Sequence, residues 1–340
     1  MRPVTILLLC GGNSAEYAVS LMSANYLQSQ LELTQSFSVI CVKIKKDGWY
    51  NSNDDLVYLD TNNSKLNSEV SSIQIDFAIP CIHGYPGETG DIQSVLELAR
   101  IPYLGSRPEA SSNSFNKITS KLWYKALDIP NTPYLFLNEN NREAFEKTRN
   151  ALKRWKTIFI KAARQGSSVG CYKVTDVKKI QESINFAFQY SSQVLVEQAV
   201  KSRELEVAAY EFNGKLHISK PGEIITPNDA FYSYEEKYGA NSGSVVEIEA
   251  SNLTQKQKTT ISKNARKIFI QMRLRHLSRI DFFLTEDEHI YLNEINTFPG
   301  MTLMSMFPKM LENNGHKFSK FLSSCIYGSI KKGCSKKSLF

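Results

Sequence analysis

The spacing of apolar positions changes several times along the chain, and each change marks an element. Val4 to Cys10 is a continuous apolar run, the pattern of a strand buried on both faces of a parallel sheet. Gly11-Gly12-Asn13-Ser14 interrupts it, and Ser14 can cap a helix predicted to run to about Gln30. Further strands are expected at Phe37 to Ile44 and at Asp76 to Ile82, the latter ending in the turn His83 to Gly90. A helix from Asp91 to Ala99 and a short strand near Tyr103 complete a βα layer of roughly 110 residues.

Beyond it, helix signals surround Asn116 to Leu127 and stop at Pro130 and Pro133. Thr157 to Lys161 reads as a short strand, Arg164 to Gly170 as a Gly-Ser loop and Cys171 to Val174 as the next strand. A helix from about Val177 to Tyr190 then leads to the strand Val194 to Val196. A third region opens near Glu204, with antiparallel strands Glu206 to Glu211 and Lys215 to Ser219 about the turn Asn213-Gly214. Thr226 to Ser244 is Tyr-rich with little periodicity, and loops of that length tend to be lids or disordered. Ile261, Ala265, Ile268, Phe269 and Met272 keep a 3.6-residue period and predict a helix. Arg279 to Leu284 and Ile290 to Asn296 alternate as strands about a polar turn. The segment after Gly328 is expected to fray. The pattern implies an α/β protein divided at 1–114, 115–203 and 204–330, with a basic tail at 331–340.

Composition narrows the classes. The 340 residues are 42% hydrophobic and 22% charged, ordinary globular values that exclude disordered and fibrous chains. Of the formal net charge of +7, four units come from Lys331, Lys332, Lys336 and Lys337. No basic stripe with interleaved aromatics favours a nucleic-acid partner. No run has membrane-spanning length. The six cysteines are scattered without a C-x-x-C pair, which fits free thiols and a cytoplasmic location.

Three places could carry chemistry. Alternation puts Arg279 with Asp281, and Glu294 with Asn296, on one face of each strand. With a turn at 286–289, Asp281 lies opposite Glu294 and Arg279 opposite Asn296. Facing carboxylates repel, and a divalent cation such as Mg2+, bound together with substrate phosphates, would turn that repulsion into a site. The same alternation also describes a solvated sheet face of mixed charge. Lys161 followed by Gly166-Ser167-Ser168-Val169-Gly170 supplies a cation, hydroxyls and accessible backbone N–H groups for phosphate, or simply an ordinary Gly-Ser connection. His83 ends a buried strand, where polar groups line crevices, although a lone histidine is more often hydrogen-bonded structure. Walker and dinucleotide fingerprints are missing, which argues against a nicotinamide oxidoreductase.

At these residues the chain resembles the D-alanine–D-alanine ligases of the ATP-grasp superfamily. The likeness covers about Val4 to Tyr327, with seven motifs in order. They are Gly11 to Glu16 with Val19-Ser20, His83-Gly84 with Gly87-Glu88, Lys161 with Gly166 to Gly170, and Glu197-Gln198, followed by Phe231 to Tyr238, Arg279 to Phe283 and Asn293 to Gly300. The resemblance implies a Rossmann-like parallel-sheet domain followed by two α+β lobes clasping ATP with Mg2+ or Mn2+, two ions in all. Lys117, Lys161, Ser167 and Ser168 would meet the phosphates, Glu197, Gln198 and Val200 the adenine edge, and Glu204 the ribose. Asp281, Glu294 and Asn296 would hold the ions. Glu16 would take the first amino acid's ammonium, with His83 near its carboxylate, and Ser305 and Met306 would receive the second. Arg279 and the Gly300 N–H would form the oxyanion site, while Lys237 and Tyr238 would close over it.

The reaction implied is ATP-dependent joining of two D-alanines through an acyl phosphate, for peptidoglycan precursors, with small-molecule partners only and a homodimer allowed. Tyr17, Thr89, Asn116, Ala162, Leu277 and Ser278 depart from the usual pattern. Tyr17 and Thr89, with Leu303 and Met304, lie near the amino-acid pockets in the family. Two alternatives follow: a sister ligase taking D-serine, D-lactate or another acid, and a decayed, non-catalytic nucleotide-binding paralogue.

Overall fold

A computed structural model of the chain describes residues 2–226 and 245–336. Among them, three sheets and the helices around them form a mixed α/β molecule. The first sheet is seven-stranded, in the order Ser72–Gln74, Lys65–Asn67, Leu56–Asp60, Gly48–Tyr50, Phe37–Lys45, Val4–Gly11 and Phe77–Pro80. Val4–Gly11 runs parallel to both neighbours, and Ala78 bridges in parallel to Tyr103. The apolar run of Val4–Gly11 is buried on both faces, as the unbroken pattern requires. The remaining strands are antiparallel, so the layer is parallel only at the end formed by Phe37–Lys45, Val4–Gly11 and Phe77–Pro80. Those outer strands were not anticipated, because they are three to five residues long and separated by Asn, Asp and Ser turns.

The second sheet is four-stranded and antiparallel: Cys171–Val174, Ile158–Ala162, Val194–Gln198, Tyr134–Leu137. Helices Arg142–Trp155 and Ile180–Tyr190 cover it through Ala144, Ala151, Leu152, Ile180, Ile184 and Ala187. The third sheet is six-stranded and built on the long strand Ser202–Phe212, which pairs with Leu277–Thr285, itself paired with Ile290–Asn296. Alternation sorts its faces. Leu205, Val207, Ile280, Phe282, Leu292 and Ile295 pack under the helix Gln255–Gln271. Glu206, Arg279, Asp281, Glu294 and Asn296 are left to the opposite face, toward a cleft.

The C-terminal segment does not fray at Gly328: a helix runs from Phe318 to Lys336. Its apolar face anchors the helix upstream of Gly328, and Ile330 packs against the same cluster. Phe318, Phe321, Leu322, Cys325 and Ile326 are buried in one cluster with Ile6, Leu8, Cys10, Leu27 and Leu31 of the first strand and helix. Tyr26 stacks on Phe318 at 5.7 Å, and Phe37 meets Tyr327 at 5.6 Å. No described helix is long and apolar enough to cross a membrane.

Candidate active site

The cleft where the three sheets meet holds a cavity of about 530 Å³ and, beside it, a smaller one of about 90 Å³. Glu16, His83, Lys117, Ser167, Arg279, Glu294, Asn296, Gly300, Ser305 and Met306 line the larger. Lys161, Ser168, Glu204 and Asp281 line the smaller, which shares Lys117, Ser167, Arg279 and Glu294.

The hairpin carries the acids as its alternation requires. Arg279 lies opposite Asn296 and Asp281 opposite Glu294, and a register shift follows at Phe282, which pairs with Leu292. Asn293 is thus the extra residue of a bulge, so the inward face of the strand re-aims at Glu294. Arg279 grips Asp281 through Nε and Nη2 at 2.8 and 2.7 Å and stands 3.2 Å from Glu206. Burial alone would lower its pKa, but the paired carboxylates of Asp281 and Glu206 override this and hold it firmly charged. Asn296 donates from Nδ2 to Asp281 at 3.0 Å. Glu206 sits opposite Asp281 on the neighbouring strand and went unnoticed in the sequence, where it is one of several alternating acids.

Two carboxylates and an amide oxygen on adjacent strands are a hard donor set suited to Mg2+ or Mn2+ with phosphate oxygens completing the shell. Among the described residues no three His, Cys, Asp or Glu side chains could hold an ion by themselves.

Basic groups face this hairpin from the second sheet and from the helix that precedes it. Lys117 opens the helix Lys117–Ala126, which Asn116 caps by accepting from the N–H of Ile118 and Thr119. An asparagine therefore performs the cap expected of the usual aspartate. Lys117 Nζ donates to the Gln165 carbonyl at 2.6 Å and lies 3.9 Å from Glu294. Lys161 bonds Glu197, whose other oxygen accepts from Thr132 and Lys121, each at 3.0 Å. Burial opposes the charge on Lys161 and on Glu197, but each is overruled by its partner, so Lys161 is raised and Glu197 strongly depressed. Lys121 and Thr132 were also missed, since a helical lysine reads as solvated surface.

Ser167 and Ser168 take left-handed φ values of 50° and 61°, uncommon for non-glycine residues and a mark of a constrained loop. Ser167 reaches Glu16 with a 2.5 Å hydrogen bond, which joins the loop to the start of the first helix. His83 lies between the Phe298 carbonyl, 3.2 Å from Nδ1, and the Ser23 hydroxyl, 3.0 Å from Nε2. With Nδ1 donating to the carbonyl, Nε2 accepts from serine, and burial lowers the pKa of the ring. It is both hydrogen-bonded structure and cavity wall. Beside it Glu88, a motif residue of which no role was expected, is buried and accepts from the Gly84 N–H at 2.9 Å. Burial, helped by the charge of Glu16, pushes its carboxyl up to about 8.

Ser305 stands before the helix Met306–Asn313 and bonds the Thr302 N–H and hydroxyl at 3.0 and 2.8 Å. A Cβ on Gly300 would approach its oxygen to 2.9 Å. Thr89, where an aspartate is usual, bonds Asp91 and keeps an acid at the turn. Gln198 borders a separate cleft with Lys125, Tyr134 and Trp155 rather than either cavity. Its N–H is committed to Pro133 and that of Ala199 to Thr157, and Val200 lines neither cavity. Lys237 and Tyr238 lie outside the described residues.

Comparison with known proteins bears on the whole chain. A family model described as D-ala D-ala ligase N-terminus matches residues 5–106, and one described as D-ala D-ala ligase C-terminus matches 123–327. A D-alanine--D-alanine ligase of Vibrio cholerae is 66% identical over 326 residues, 96% of this chain and 99% of the relative. That of Vibrio vulnificus is 62% identical over 327 residues, 96% and 99% respectively. Among solved structures, D-alanyl-alanine synthetase A from Vibrio cholerae superposes with a TM-score of 0.94 at 65% identity, covering 97% of this chain and 99% of that one. D-alanine-D-alanine ligase from Aeromonas hydrophila gives 0.82 at 46% identity, covering 94% and 99%.

Proposed function

The chain belongs to the D-alanine–D-alanine ligase family of ATP-dependent ligases, and from that premise we propose that its cleft joins two D-alanines through an acyl phosphate. One observation carries the site assignment: acids of the third sheet and bases of the second face each other across a single cleft, with Glu16 and Ser167 at its rim. In this reading the first domain is Rossmann-like in its parallel part, and the second and third sheets belong to two α+β lobes that clasp ATP. The divisions fall at 114 and 203. The enzyme works in the cytoplasm.

The first D-alanine binds with its ammonium on Glu16 and its carboxylate near His83. A carboxylate is a poor acyl donor, and its attack on a γ-phosphate brings anion toward anion. Lys117 and Lys161 screen that approach, with Ser167 and Ser168 adding donors. Asp281, Glu294 and Asn296 would hold the divalent ions, which would supply charge neutralisation at the triphosphate. The carboxylate oxygen attacks phosphorus, and ADP leaves. The amine of the second D-alanine, seated by Ser305 and Met306, attacks the acyl carbon. Arg279 and the Gly300 N–H steady the oxyanion, and phosphate leaves. Glu204, which lines the smaller cavity, holds the ribose.

The test offers D-alanine, D-serine and D-lactate in competition with ATP and Mg2+ and identifies products by mass spectrometry. D-alanyl-D-alanine should dominate. A mixed product in its place would make the chain a sister ligase, and ATP binding without any product would make it a non-catalytic relative.

A further inference from the structure

Lys121 lines neither cavity, yet it is one of the most deeply buried charges in the chain, 3% exposed in its side chain. It projects from the Lys117–Ala126 helix, one turn after Lys117, into the base of the second sheet. Its ammonium donates to Thr132 Oγ1 at 2.8 Å and stands 3.0 Å from Glu197 Oε2. Thr132 in turn donates to the same Oε2 at 3.0 Å. Weaker contacts reach the Thr132 carbonyl at 3.3 Å and Asn131 Oδ1 at 3.5 Å. One oxygen of Glu197 is therefore fully committed away from the cleft, and only Oε1 is left for Lys161, which does line it.

A buried lysine is costly, and one placed outside the site needs a reason. Charge supplies it. A lone Lys161–Glu197 pair is neutral, and its carboxylate would cancel the cation offered to a phosphate. Burial lowers the pKa of Lys121, and the Glu197 carboxylate works against that. With Lys121 protonated, two ammonium groups on one carboxylate leave a surplus positive charge, and the clamp on Oε2 places Lys121 on the far side. The surplus is then expressed at Lys161, in the low-dielectric wall of the cleft where charge acts strongly.

We infer that Lys121 is a positioning residue of the nucleotide site: with Thr132 it clamps Glu197 so that Lys161 keeps its charge and direction for the triphosphate. This rests on the assignment of Lys161 to ATP made above. It separates two jobs within one helix, with Lys117 facing the ligand and Lys121 securing the group behind Lys161.

Binding of the non-hydrolysable analogue AMP-PNP with Mg2+, followed by calorimetry, tests it without any D-alanine chemistry. K121Q keeps a donor for Thr132 but removes the charge, and its Kd should rise by about tenfold, the worth of one charge-assisted contact. K121R should stay within about threefold of the parent, because it restores the charge on a different frame. In turnover, K121Q should raise KM for ATP while KM for D-alanine stays unchanged, a split that a merely structural lysine would not produce. Should neither lysine variant fold, T132V loosens the clamp at constant charge and should raise the AMP-PNP Kd by about threefold. Parent-like AMP-PNP affinity in K121Q, or in T132V as the fallback, overturns the inference. A parent that binds AMP-PNP yet forms no D-alanyl-D-alanine overturns the substrate reading alone.

Discussion

Glu88 and Glu197 are both buried carboxyls, and their neighbours push them in opposite directions. Among the described residues Glu88 forms no ion pair, and burial raises it from 4.5 to about 8. A raised acid binds its proton more tightly in the folded state. Its contribution to stability is therefore full below about pH 4.5 and is lost as pH climbs through about 8. Glu88→Gln should flatten that decline, so the variant should melt above the parent at pH 9 and not at pH 5. Equal melting-temperature differences at both values would disprove the shift. Glu197 is depressed by two lysines, so its contribution is full at neutral pH and fails on acidification below its unfolded value. Within the hairpin, Glu294→Gln should lower the turnover rate by about a hundredfold or more, since a lost ligand removes charge neutralisation. The circular dichroism spectrum should stay that of the parent, because Glu294 packs no core. Unchanged phosphate release would exclude its assigned role.

Elements stand or fall on local chemistry that sequence shows unevenly. The helix Gln255–Gln271 opens with a complete capping box, Thr254 with Gln257. Thr254→Ala should cost about 1 kcal/mol, read as a lower urea midpoint at constant slope. The turn after His83 depends on Gly87, where a Cβ would lie 2.0 Å from the Ile82 carbonyl oxygen, so Gly87→Ala cannot keep that approach. The hairpin and its register were legible because alternation of Ile280, Asp281 and Phe282 leaves one arrangement that buries the apolar set. Helix Arg142–Trp155 was not, because it buries only Ala144, Thr148, Ala151 and Leu152 on a narrow stripe, and most of the rest of its length is charged. The site was legible where residues lie close in sequence. Glu206 and Lys121 with Thr132 escaped because their meaning comes from partners dozens of positions away on other strands.

At the scale of the molecule, the first and last parts of the described chain share one core. Phe318 is wholly buried against Tyr26 and the first sheet's apolar face. Phe318→Ala should destabilise by about 3–5 kcal/mol. The loss should appear as faster amide exchange in Val4–Gly11 and Phe37–Lys45, far away in sequence. Exchange confined to the C-terminal helix would mean the two ends are not coupled.

That shared core also sets an order on assembly. A ribosome delivers Leu8, Cys10 and Leu27 long before Phe318, Phe321 and Ile326, so one flank of the earliest sheet stays open to water while most of the polypeptide is being made. Until the late helix arrives, that flank is sticky surface, available to chaperones or to a neighbouring nascent copy.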